Sequence, residues 1–139
     1  MEKIKNICNV VCGVIGAFVN NVLGGWSGWT LTLVIIMFFD WFTGTMNALV
    51  FKNSPKSDNG KYTSKSGFRG IFKKCIMLFL VLIGHRLDLN LNVDYFQIGI
   101  TIALVLNEMY SIKENLELMD IKIDFFSNMI EHIKNYGKK

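Results

Sequence analysis

Residues 29–51, running from Trp29 to Phe51, form one long apolar stretch with a single ionisable group, Asp40, near its middle. At about 1.5 Å per helical residue, such a stretch can cross the roughly 30 Å hydrocarbon core of a bilayer. A carboxylate at that depth costs about 2.5–3.5 kcal/mol on insertion scales, so Asp40 must be paired, protonated or wetted. Thr43, Gly44 and Asn47 follow it at i+3, i+4 and i+7. The polar groups therefore share one helical face, which has to meet protein or water rather than lipid.

The rest of the chain is consistent with a small helical membrane protein. Its 139 residues are 51% hydrophobic and include one proline, which fits a single all-α integral membrane domain. Charge is segregated instead of being spread along helix faces as in a soluble bundle. Lys52, Lys56, Lys61, Lys65, Arg69, Lys73 and Lys74 crowd together against Asp58 alone. The positive-inside rule makes 52–69 a basic cytoplasmic loop, with Lys52, Lys65, Arg69, Lys73 and Lys74 as topology anchors. Apolar runs then predict two more transmembrane helices, at 70–86 and 94–112. The second span closes on His85, Arg86 and Asp88, a titratable cluster at the outer interface. Gln97, Thr101 and Glu108 lie roughly in line along the third span, with Asn107 beside Glu108; Gln97 and Thr101 are candidate partners for Asp40, and Lys113 or the Lys73-Lys74 pair is a candidate to reach Glu108 near the cytoplasmic end.

The ends of the chain are less decisive. Residues 6–24 have a basic start and an apolar middle, but they lack a convincing cleavage site and contain Asn20-Asn21; they are read as a possible fourth N-terminal span or an interfacial helix. If they span, both termini are cytoplasmic; if they lie in the interface, the start of the chain is outside and the tail is inside. Gly24 to Trp29 reads as an external turn. Cys8, Cys12 and Cys75 read as packing residues, because no further ligands stand at metal spacing. The tail, 113–139, is cytoplasmic on this topology. Phe126, Met129, Ile130 and Ile133 within it repeat at helical spacing, which predicts an amphipathic helix on the membrane or on a neighbour.

Several function classes are disfavoured. Asp40, His85, Asp88 and Glu108 include acid-base types, but the predicted topology puts them at different depths, out of hydrogen-bond reach of one another. No nucleophile elbow, phosphate loop or paired metal motif is present, so no enzyme activity and no cofactor are expected. The basic run has no interleaved aromatics to stack on bases, and nucleic acid is not an expected partner. The lipid bilayer is the expected partner. A chain this small needs several copies, a homo-oligomer, to enclose a wide aqueous path.

From Phe39 to about Asn115 the sequence resembles the toxin-secretion and phage-lysis holin family. The matching pieces are Asp40-Trp-Phe-Thr43-Gly44, then Ser64-Lys-Ser-Gly67-Phe-Arg-Gly70-Ile-Phe-Lys73-Lys74, then His85-Arg-Leu-Asp88, and finally Asn107-Glu108 with Ser111-Ile-Lys-Glu114-Asn115. They occur in the family's order and spacing. The family often carries a proline-containing stretch after the Glu-Asn pair, whereas Leu116 to Asp124 contains none. The resemblance implies a bacterial cytoplasmic-membrane protein that accumulates harmlessly, then assembles into lesions that release a cell-wall hydrolase or a large toxin without binding that cargo specifically. A small ion-conducting or accessory membrane subunit is the alternative, and a helical binding module is the third reading.

Overall fold

A computed structural model describes residues 2–22, 27–51, 64–122 and 124–136. Every regular element among them is helical: α1 (Glu2–Val22), α2 (Gly28–Met46) continued by a π-helical turn (Asn47–Phe51), α3 (Ser64–Leu91), α4 (Phe96–Glu117) and α5 (Asp124–Tyr136). Most of the expected external turn before Trp29, and residues 52–63 of the expected 52–69 basic loop, lie outside the described residues.

Local chemistry sets the boundaries. Ser27 caps α2, its hydroxyl accepting from the Thr30 N–H at 3.2 Å, which satisfies one of the donors a helix start leaves open. Within α2 the threonines return their hydroxyl protons to the helix itself, Thr32 to the Gly28 carbonyl, Thr43 to Phe39 and Thr45 to Trp41. Such back-bonding lets hydroxyls sit in an apolar run. α3 is longer than the expected 70–86 span: residues 64–69, expected in the basic loop, and residues 87–91 are helical as well. Tyr95, at the start of α4, makes no side-chain cap. Asp88 supplies one from α3: its two carboxylate oxygens accept the Phe96 and Gln97 N–H groups, each at 2.9 Å. A negative group at this helix N-terminus is favoured by the dipole. The short turn between the helices includes Asn92 at φ 55, a left-handed conformation that asparagine tolerates.

α4 is the centre of the bundle, packing on α2, α3 and α5. The apolar core draws Leu33 and Met37 from α2, Met77 and Val81 from α3, Val105 and Met109 from α4 and Ile130 from α5. Almost as many polar as apolar residues are buried, among them Asp40, Asn47, Thr101, Glu108 and Asn115. Large apolar side chains cover the outside instead, including Phe38, Phe39 and Phe42 of α2 and Phe72, Ile76 and Phe79 of α3. A water-soluble bundle would reverse this distribution. By length and apolarity alone, one described helix, Gly28–Phe51, can cross a membrane. In α3 and α4 the apolar sequence is interrupted by Lys73, Lys74 and Glu108.

The end helices behave differently from each other. Every described side chain of α1 is exposed. Cys8, Cys12 and Cys75, expected to be packing residues, are exposed free thiols, because their helix faces turn away from the core. The apolar stripe predicted for α5 does pack: Ile130 is buried, with Phe126, Met129 and Ile133 against the same core. α5 folds back along the bundle until the Tyr136 ring lies 5.7 Å from that of Trp29, and the Lys134 ammonium sits 5.4 Å over the Tyr110 ring.

Gly84 marks the closest approach of α3 and α4. A Cβ there would lie 2.9 Å from Ile100 Cδ1 and 3.0 Å from the Gln97 Cα, so backbone as well as side chain would have to give way. Gly84→Ala is expected to cost about 1–3 kcal/mol by overpacking, read as a lower thermal midpoint of the detergent-solubilised protein. An unchanged midpoint would show that the two helices are not held at this distance.

Candidate functional site

α2 and α4 run parallel, and α3 runs antiparallel between their ends. Asp40 and Glu108 stand the same number of residues beyond the first residues of their helices, Gly28 and Phe96. They therefore lie at matching depth. This corrects the expectation that Asp40 sits at the midplane and Glu108 toward the cytoplasmic end, out of each other's reach.

Lys74 of α3 joins them. Its Nζ lies 2.8 Å from Asp40 Oδ2 and also donates to Glu108 Oε2. The side chains are largely withdrawn from solvent, with Lys74 15% exposed, Asp40 7% and Glu108 1%. Lys74 was expected to be a topology anchor, with the Lys73-Lys74 pair also a candidate to reach Glu108; it turns inward and meets both Glu108 and Asp40. Its long stem lets the ammonium reach two carboxylates whose burial makes an unpaired charge far more costly than an ordinary surface one. Of the other expected anchors, Lys65, Arg69 and Lys73 remain exposed.

Amides extend the cluster. The Asn115 Nδ2 donates to Asp40 Oδ1 at 3.2 Å and lies 3.1 Å from the Thr43 hydroxyl. Asn47, in the π-helical turn, donates through Nδ2 to the Asn115 carbonyl at 2.8 Å. Asn107 donates to Glu108 Oε1 at 3.2 Å. Lys113, the other cation expected within reach of Glu108, pairs weakly with Glu117 instead, at 3.8 Å. Among the described residues the cluster brings two carboxylates to one ammonium. A cavity of about 360 Å³ borders it, with Arg69, Lys73, Tyr110 and Glu114 on its walls. The arrangement is suited to tying three helices together through charge.

The expected residues thus separate into two groups. Asp40, Thr43, Asn47, Asn107 and Glu108 converge on one cluster, with Gly44 half-buried beside them. Gln97 and Thr101, expected on a helix facing Asp40, lie at the other end of the bundle, where Thr101 donates to the Gln97 carbonyl at 2.7 Å. His85 and Asp88 line that end's groove with them, and Arg86 is exposed. Asn115 belongs to the cluster although the intramembrane polar pattern did not single it out. The signal was present: it follows Glu108 by seven residues, two helical turns along the same face.

Removing one partner of a buried ion pair costs about 3–5 kcal/mol, whereas a balanced remainder costs less. Lys74→Met, which leaves two carboxylates facing each other, is therefore expected to lower the thermal midpoint in detergent more than Asp40→Asn, which leaves one lysine with one glutamate. Equal losses would mean that Lys74 is not the tie.

Comparison with known proteins accords with this geometry. The profile of the bacteriophage holin family matches residues 17–135, a range that includes the whole cluster. An uncharacterized 14.9 kDa protein from the nagH 3' region of Clostridium perfringens is 28% identical over 125 residues, 88% of this chain and 89% of the relative. The uncharacterized protein Lmo0128 of Listeria monocytogenes is 40% identical over 73 residues, about half of each chain. No solved structure matches significantly. Holins are cytoplasmic-membrane proteins and as a family are not enzymes. With the family profile covering α2 through α5, the chain belongs to the bacteriophage holin family.

Proposed function

We propose that the protein is a holin that oligomerises in the bacterial cytoplasmic membrane and opens timed lesions through which a cell-wall hydrolase or a large toxin escapes. On this reading α2, α3 and α4 all cross the bilayer, with the basic connection between α2 and α3 and the start of α3 cytoplasmic. The observation that carries it is the inverted distribution of polarity: Asp40, Glu108 and the amides of Asn47 and Asn115 are buried inside the bundle while large apolar side chains such as Phe38, Phe42, Phe72, Ile76 and Phe79 stand on the outward faces of α2 and α3. Lipid accepts that perimeter, and the interior cluster removes the cost of bringing α3 and α4 through the membrane with their charges.

The cluster also gives a physical form to harmless accumulation. With Lys74 and Asn115 satisfying Asp40 inside a single copy, no water is needed at bilayer depth and the inserted chain need not leak. Assembly then acts on a preformed three-helix unit. The polar residues of α2 and α4 serve as helix-interface groups in this account, and their rearrangement is tied to timing.

The test is to express the chain in bacteria together with a separately expressed cytoplasmic cell-wall hydrolase and to follow optical density. Abrupt lysis requiring both proteins is the expected result. Loss of membrane potential with the hydrolase retained would favour the second reading, a small ion-conducting subunit. Asp40→Leu removes the hold of Lys74 on α2 and one of the bonds from Asn115; it is expected to leave the membrane level equal or higher and to block lysis. An unaltered lysis time at that level would separate the cluster from lesion formation.

A further inference from the structure

α5 occupies a place in the bundle that its composition makes unusual. Its apolar stripe is docked, with Ile130 in the core that also holds Leu33 and Met37. Its end reaches Trp29, two residues beyond the Ser27 cap of α2. α5 therefore runs beside the half of α2 that lies on the far side of Asp40 from the basic loop. If α2 spans the membrane, α5 stands at bilayer depth.

The other face of α5 is strongly polar. Asp124, Ser127, Asn128, Glu131, His132 and Asn135 are all exposed, and at 100° per residue they form one continuous stripe opposite the docked one. None of these side chains takes part in an ion pair among the described residues. Turned toward lipid, Asp124 and Glu131 would cost several kcal/mol together on insertion scales. Turned toward water they cost nothing of the kind. Beside the half of α2 that α5 covers, the outward faces of α2 and α3 carry Phe38, Ile76 and Phe79, while the exposed cations Lys65, Arg69 and Lys73 stand at the other end of α3.

We infer that α5 lines the aqueous lesion with its polar face while the outward faces of α2 and α3 meet lipid, an inference that rests on the holin reading above. The docked position is open to α5 only when water stands beside it, so docking and lesion opening are coupled. In closed membranes the same amphipathic helix is at home in the headgroup interface, apolar face down. Several copies placed with α5 inward would enclose the hole, each contributing the same stripe.

The inference is tested on the full-length chain with Cys8, Cys12 and Cys75 replaced by serine, in vesicles of bacterial lipid that the protein has made permeable. One sample carries spin labels at Trp29→Cys and Tyr136→Cys. Others carry a single label at Asn128→Cys or Glu131→Cys, with Ser127→Cys and Asn135→Cys as substitutes on the same stripe should either label prevent insertion. Phe38→Cys and Phe42→Cys are the lipid-facing references.

The expected result is a 29-to-136 distance well below the roughly 30 Å bilayer core, with collisions at the α5 sites dominated by a water-soluble nickel chelate and those at Phe38 and Phe42 by oxygen. A distance at or beyond that thickness would put α5 on the cytoplasmic side and overturn the inference. Oxygen-dominated collisions at the α5 sites would overturn it as well. The hydrolase-release assay is run in parallel on the wild-type chain. Absence of lysis there, with α5 docked and reached by the chelate, would overturn the lesion reading while leaving the water-facing placement of α5 standing.

Discussion

The bundle depends on one ammonium shared between two carboxylates. Lys74 reaches Asp40 on one neighbouring helix and Glu108 on the other, so three helices meet at a point where an unpaired charge would be prohibitively placed. Between apolar helices in lipid, burial supplies little drive to associate, because lipid tails are as apolar as leucine. Charge and amide contacts are then what can hold neighbours in register. Asn115 and Asn47 extend the tie along α2 and α4, and Asp88 performs the corresponding service at the opposite end by capping α4 from α3.

This organisation explains why α4 is central. It presents Glu108 and Asn115 to the cluster, Val105 and Met109 to the core and its N-terminus to Asp88. At Gly84 it approaches α3 so closely that no side chain fits between them. α1 makes no such investment, its described side chains all being exposed, and α5 adds to the bundle through its apolar stripe and the contacts of Lys134 with Tyr110 and Tyr136 with Trp29. The strongly connected part is thus α2 to α4, with amphipathic helices at each end of the chain.

Much of the fold was legible in the sequence because hydrophobic periodicity is a local property. The apolar run around Asp40, the helices that follow it and the packing stripe Phe126, Met129, Ile130 and Ile133 all correspond to helices in the structure. The demand that Asp40 have a partner was legible too, since it follows from the cost of burying charge. The partner's identity was not. Lys74 sits in a basic stretch where every neighbouring lysine reads as a headgroup anchor, and nothing within α3 distinguishes it from exposed Lys73. Gln97 and Thr101 were plausible partners by type and helix face, but their position along α4 puts them at the wrong end.

By itself, the sequence determined an all-helical chain, the burial problem at Asp40, and the holin resemblance carried by short motifs in fixed order. These depend on composition, spacing and local geometry, which need no knowledge of neighbours. Only the tertiary structure decided that Asp40 and Glu108 share a depth and a lysine, that Gly84 is a contact point, and that α5 lies back along α2 toward Trp29. Each of these is a relation between residues far apart in the chain, set by the relative shift and rotation of whole helices. A one-residue change in that shift alters depth by about 1.5 Å and facing by about 100°, so such relations are settled where the helices pack.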